Sequence, residues 1–134
     1  MLKSRFRIAA EVLVIATLAG NAAAESPPAP IKTVNELEAA LLACWEPPPI
    51  EQSRPGMQIT VLMSFKRNGE LFGQPRITFQ SSDASDVERA SYRTAVAETL
   101  KRCASLPFTE AFGNGTAGQP FTMRFVDDRE GPPN

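Results

Sequence analysis

The chain has 134 residues, of which 43% are hydrophobic and 22% charged, a size that supports one domain. With 14 Lys+Arg against 15 Asp+Glu the formal net charge is −1, which excludes the basic excess of a nucleic-acid binder. It contains no His. Ser-His-Asp and Cys-His nucleophile arrangements, imidazole metal sites and His general bases are therefore all excluded.

Met1 to Ala24 reads as a secretory signal peptide. Lys3, Arg5 and Arg7 form the basic region, Ile8 to Gly20 the apolar region, and Ala22-Ala23-Ala24 the small-residue cleavage site. Cleavage between Ala24 and Glu25 removes three basic residues and one acid, shifting the net charge from −1 to −3. An apolar stretch this short, carrying Glu11, falls below the length of a spanning helix. The expectation is an exported chain with no stable membrane insertion after cleavage; a tethered form with an uncleaved leader is the alternative. Export gives the two cysteines their meaning: Cys44 and Cys103 form one structural disulfide in an oxidising compartment. Their spacing is unlike a redox C-x-x-C pair.

Residues 25–32 are Pro-rich and read as a disordered leader. Thr33 and Glu36 make a capping box that opens a helix over 34–44, with Leu37, Leu41 and Cys44 on its buried face. Pro47-Pro48-Pro49 forbids continuation, and Trp45 at that junction reads as a core plug. Met57 to Phe65 alternates as a strand with Ile59, Val61, Met63 and Phe65 on one face. Asn68-Gly69 is the preferred pair of a type I′ hairpin. Leu71 to Gln80 returns, and Pro75 assigns that strand to a sheet edge.

Ser85 and Glu88 offer a second capping box for a helix reaching Cys103. Val87, Ala95, Val96, Thr99, Leu100 and Cys103 are expected to share its buried stripe, with Ala90 and Ala97 allowing close packing. Leu106-Pro107-Phe108 leaves as an apolar strap, and residues 111–118 read as a loop. Pro120 to Val126 is the third strand, followed by a polar tail over 128–134. Chain direction then sets the topology. The fold class is α+β: a two-layer α-β-β-α-β domain with a three-stranded antiparallel sheet of order 2-1-3 under two helices. Strand three keeps a free edge.

Residues that imitate chemistry have plainer readings. Gly113–Gly118 matches G-x-G-x-x-G, but it follows a helix and leads into a strand, the reverse of a dinucleotide site. Asn114-Gly115-Thr116 is a glycosylation sequon, relevant only in a pathway that modifies Asn. Ser81 to Asp86 lacks the Gly and bidentate Glu of a calcium loop and reads as helix capping. Asp127, Asp128 and Glu130 read as a solvated acidic end. No catalytic, cofactor or metal residues are assigned.

Several phrases occur together in order: Cys44-Trp45-Glu46-Pro47-Pro48-Pro49, Arg67-Asn68-Gly69-Glu70-Leu71, Arg76-Ile77 before Ser81-Ser82, Ala90 with Ala95-Val96, Arg102 to Phe108, and Phe121–Phe125. Over residues 33–127 this resembles the C-terminal domain shared by the TolA and TonB cell-envelope proteins of Gram-negative bacteria, closer to TolA. The resemblance implies a periplasmic, non-enzymatic interaction module whose partners are TolB-like or outer-membrane proteins. It also implies strand addition at Phe121, Thr122, Met123, Arg124 and Phe125. The leader passes almost directly into the domain, without the membrane helix and long spacer of those proteins, so energy transduction is not implied. The competing expectation is a secreted small-molecule binder or enzyme using the loops around Trp45 and Gly113–Gly118.

Overall fold

The computed structural model describes residues 29–130. The signal peptide, its Ala24–Glu25 cleavage point, residues 25–28 of the Pro-rich leader and residues 131–134 of the polar tail lie outside those residues. In chain order the elements are α1 (Val34–Cys44), a 3-10 turn (Ile50–Gln52), β1 (Gln58–Met63), β2 (Arg76–Gln80), α2 (Asp86–Arg102), α3 (Glu110–Thr116) and β3 (Phe121–Val126). The fold is α+β, with one antiparallel sheet in the order β2-β1-β3. The apolar strand is central because its Ile59, Val61 and Met63 turn together into the core, where they are buried.

Both helices are capped, but only α2 by the full capping box; at α1 the Glu36 carboxylate accepts instead from the Lys32 N–H at 2.6 Å. Thr33 Oγ1 accepts from the Glu36 N–H at 3.1 Å. Ser85 Oγ accepts from the Glu88 N–H, and Glu88 Oε1 returns a bond to the Ser85 N–H at 2.8 Å. The Ser85 N–H and hydroxyl hold the Glu88 carboxyl below its usual range. Leu37 and Leu41 on α1 meet Tyr92, Val96 and Leu100 on α2 over the inner face of the sheet. Burial of each leucine contributes roughly 2 kcal/mol. The Cys44–Cys103 disulfide joins the two helices with a Cα separation of 6.2 Å. Arg102 adds a second tie, donating from Nη2 to the Cys44 carbonyl at 3.0 Å. A cation at a helix C-terminus is favourable there.

Six local expectations change. Val87 is 72% exposed, because at 100° per residue it lies about 140° around the helix from the buried Tyr92. Ala97 is exposed too, so it spaces α2 from nothing above it. The hairpin turn is not type I′: Asn68 has negative φ and only Gly69 is left-handed, at φ 87°. The Gly69 N–H donates to the Lys66 carbonyl at 3.0 Å, and the Lys66 N–H to the Glu70 carbonyl at 2.7 Å. This is a type I turn closed by a left-handed glycine. A Cβ at Gly69 would also collide with the Leu106 carbonyl.

The return strand is shorter than Leu71–Gln80. Leu71 makes an isolated bridge to Phe65, and regular pairing resumes only at Arg76. Thr78 is an extra residue between the Thr60–Phe79 and Val61–Ile77 pairs, which turns Phe79 outward to 52% exposure. Residues 110–116 are helix α3 rather than loop. Thr109 caps it by accepting from the Phe112 N–H at 3.2 Å, and Phe112 packs edge-on against Phe108 at 4.8 Å. The end of the leader is also ordered. Ile31 is 3% exposed, its N–H donates to the Pro107 carbonyl, and its carbonyl accepts from the Thr109 N–H.

Candidate functional site

The edge of β3 is the first place to look, because β3 pairs with β1 on one side alone. Its backbone directions follow from its end. The Asp127 N–H donates to the Met57 carbonyl at 2.9 Å, and the Asp127 carbonyl accepts from the Gly56 N–H at 2.7 Å. Both backbone groups of residue 127 therefore face β1. With a period of two, those of Phe121, Met123 and Phe125 face β1 as well, and those of Thr122, Arg124 and Val126 face away. Side chains alternate in step: Met123 and Phe125 are buried, Thr122 and Arg124 exposed.

One outward group is already occupied. Trp45 Nε1–H donates to the Val126 carbonyl at 3.0 Å, and its ring lies on Phe125 with centroids 5.0 Å apart. Trp45 is thus a core plug, as read from the sequence, and also a cap on one end of the β3 edge. The uncapped stretch runs over Thr122 and Arg124. Beside it, Glu38 and the half-exposed Leu42 of α1 complete a groove of about 460 Å³ with Thr60, Thr122, Met123 and Arg124.

The same end of the edge is fixed by a buried polar cluster that sequence reading placed in a solvated tail. Asp127 is fully buried. Its Oδ2 accepts from the Tyr92 hydroxyl at 2.5 Å and from Arg129 Nη2 at 2.8 Å, and its Oδ1 accepts from Arg129 Nε at 2.9 Å. Arg129 also donates to Ser53 Oγ at 2.7 Å, and the Arg54 N–H donates to the Tyr92 oxygen at 2.9 Å. Burial pushes the Asp127 carboxyl up, but the bonds from Arg129 and Tyr92 outweigh it and hold the group below its usual range. Burial and the neighbouring carboxylate push the Tyr92 phenol up. Asp128 and Glu130 remain exposed. The missed signal was the Asp127–Arg129 spacing joined to a Tyr on the buried stripe of α2.

The second candidate loops do not meet. Trp45 sits at the Val126 end of β3. The Gly113–Gly118 segment sits at the Phe121 end, where the Gly118 N–H donates to the Phe65 carbonyl at 3.0 Å. A six-residue strand separates them by roughly 16 Å. Gly113 is in α3 with its backbone against the Arg67 carbonyl, so part of the apparent G-x-G-x-x-G is a helix rather than a phosphate loop. Among the described residues there is no His, Cys, Asp and Glu grouping able to hold a metal ion. No helix among them is long and apolar enough to cross a membrane.

Fold and site define a disulfide-stapled α+β domain with one partly capped sheet edge. The chain belongs to the family described as uncharacterised conserved protein UCP034077, whose model matches residues 27–129. No curated protein and no solved structure matches it. The family match overturns the resemblance to the TolA and TonB C-terminal domains. The phrases that carried that resemblance are a proline run after a helix, an Asn-Gly turn, alanines along a helix, an apolar strap after it and an ordered α-β-β-α-β pattern. Each arises from local physics in any chain of this layout, so together they report architecture rather than kinship.

Proposed function

We propose that this protein is an exported, non-catalytic interaction module that binds an extended segment of another envelope protein along β3. The observation that carries the reading is the pair of outward-facing backbone positions, Thr122 and Arg124, beside the half-exposed Leu42. An added strand there gains main-chain hydrogen bonds, and its alternate side chains meet Leu42 and Arg124. The signal-peptide reading of residues 1–24 and the Cys44–Cys103 disulfide support an oxidising compartment, the periplasm in a two-membrane cell.

The other sheet edge is a poorer template. β2 has five residues, carries a bulge at Thr78 and is preceded by Pro75, which has no N–H. The test is proline substitution at the outward positions. Thr122→Pro and Arg124→Pro each remove one outward N–H without touching the β1 ladder. Both variants should keep the wild-type circular dichroism spectrum and lose partner capture from an envelope extract. Capture retained by both would contradict strand addition at β3.

A further inference from the structure

A second concavity lies on the opposite flank, between α2 and the chain that returns from the hairpin turn to β2. It encloses about 650 Å³, within the range of small-molecule sites. Its floor is apolar: Val61, Val96 and Leu100 are buried, and Leu71 and Ile77 are half-buried at its wall. Ala97 of α2 and Ala104, just past its end, are exposed on the same lining, so small side chains keep the groove open where larger ones would close it.

The rim carries charge in a pattern that selects a ligand. Arg93 and Lys101 stand on α2 at a spacing of eight residues, which places them about 12 Å apart along the axis, on either side of Ala97. Arg93 donates to the neutral Gln80 side chain at 3.2 Å, and among the described residues Lys101 pairs with the exposed Glu98 at 3.5 Å. The one carboxylate on the lining, Glu70, already faces Lys66 at 3.7 Å. The groove therefore presents an apolar floor between two cations. Its outer wall is Gly73-Gln74-Pro75, outside the sheet and with no N–H at Pro75, so it offers no ladder to a peptide strand.

We propose that this groove binds a single-chain amphiphile with an anionic head group, a fatty carboxylate being the simplest case. The chain lies on Val61, Ile77, Val96 and Leu100, and the head group meets Arg93 or Lys101. The site is independent of the β3 edge.

The experiment is calorimetric titration of the disulfide-bonded protein with monomeric sodium decanoate, with decyltrimethylammonium as the cationic counterpart. Decanoate should bind one molecule per chain, with the cation roughly tenfold weaker. Ala97→Trp fills the groove from an exposed position and should weaken decanoate by roughly tenfold or more. Arg93→Gln with Lys101→Gln should erase the preference between the two amphiphiles while circular dichroism stays unchanged. No decanoate binding, equal binding of both amphiphiles by the wild type, or binding insensitive to Ala97→Trp would each overturn the proposal. Sedimentation of the protein with anionic phospholipid vesicles, with no binding of monomeric decanoate, would also overturn it. If Ala97→Trp fails to fold, the double Gln variant carries the test alone.

Discussion

β3 and β2 flank the same central strand, yet they end the sheet differently. β3 is paired over six residues without interruption and leaves Thr122 and Arg124 facing outward. β2 is shorter, bulged at Thr78 and led in by Pro75. The β3 side is braced at one end: Trp45 caps Val126, and the Asp127–Tyr92–Arg129 cluster fixes the residue that follows. The β2 side gives up ladder hydrogen bonds for a cavity under Leu71 and Ile77. A braced edge holds backbone groups in register for a partner strand. An interrupted edge suits side-chain contacts with a ligand that needs no register.

The largest expected effect comes from breaking what the two sides share. The disulfide ties α1, beside the β3 edge, to α2, which walls the β2-side groove. Replacing Cys44 and Cys103 together by Ser should cost about 4 kcal/mol in the chain-entropy model, read from denaturant unfolding, and should weaken both sites. A change below about 1 kcal/mol would show that packing of Leu37 and Leu41, with the Arg102 bond to the residue 44 carbonyl, holds the helices without the bridge.

Asp127→Ala comes next and acts on the β3 side. It removes the acceptor from Tyr92 and Arg129 and should cost about 3 kcal/mol. The wild type carries a matching pH dependence. Because the folded state holds the Asp127 carboxyl low, the cluster's stabilisation is present above the unfolded pKa and is lost as pH falls below about 4. The raised Tyr92 phenol works at the other end: its contribution is present below about pH 10 and is lost as pH rises further. Unfolding curves of Asp127→Ala should therefore lose most of the acid-side slope seen in the wild type. An unchanged slope would assign it elsewhere.

Trp45→Phe is the smallest perturbation and the sharpest. It keeps a ring against Phe125 but removes the indole donor, and should cost about 1 kcal/mol. It also frees the Val126 carbonyl, so partner affinity at β3 should stay level or rise. A large loss of partner affinity would mean that Trp45 itself contacts the partner.

The parts of this picture that sequence could supply are those carried by short-range rules. Alternation from Ile59 to Phe65 and the Asn-Gly turn brought the first two strands together. Chain direction after the long helix then left one antiparallel place for β3. The Thr33 cap and the Ser85–Glu88 capping box set the starts of α1 and α2, and the signal-peptide reading with two cysteines pointed to the disulfide. The misses came where distant groups decide. Asp127 reads as polar tail until Tyr92, 35 residues earlier, is found beneath it. α3 contains Gly113 and Gly115, each costing about 1 kcal/mol in a helix, so intrinsic preference opposes it. It forms because Phe112 packs on Phe108 and Gly113 alone fits against Arg67. The cavity over Val96 and Leu100 was hidden because Pro75 marked an edge strand without showing where pairing stops. The free edge of β3 was legible, but which of its residues face outward, and that Trp45 blocks one of them, were not.

Site-specific photocrosslinking of the full-length protein expressed in cells tests the central claim most directly. A photoreactive residue at Thr122 should yield a discrete adduct with an envelope protein, one at Thr78 on the β2 side should not, and Arg124→Pro should abolish the Thr122 adduct while the protein stays folded. An adduct formed at Thr78 in place of Thr122, or a Thr122 adduct that survives Arg124→Pro, would contradict strand addition at β3.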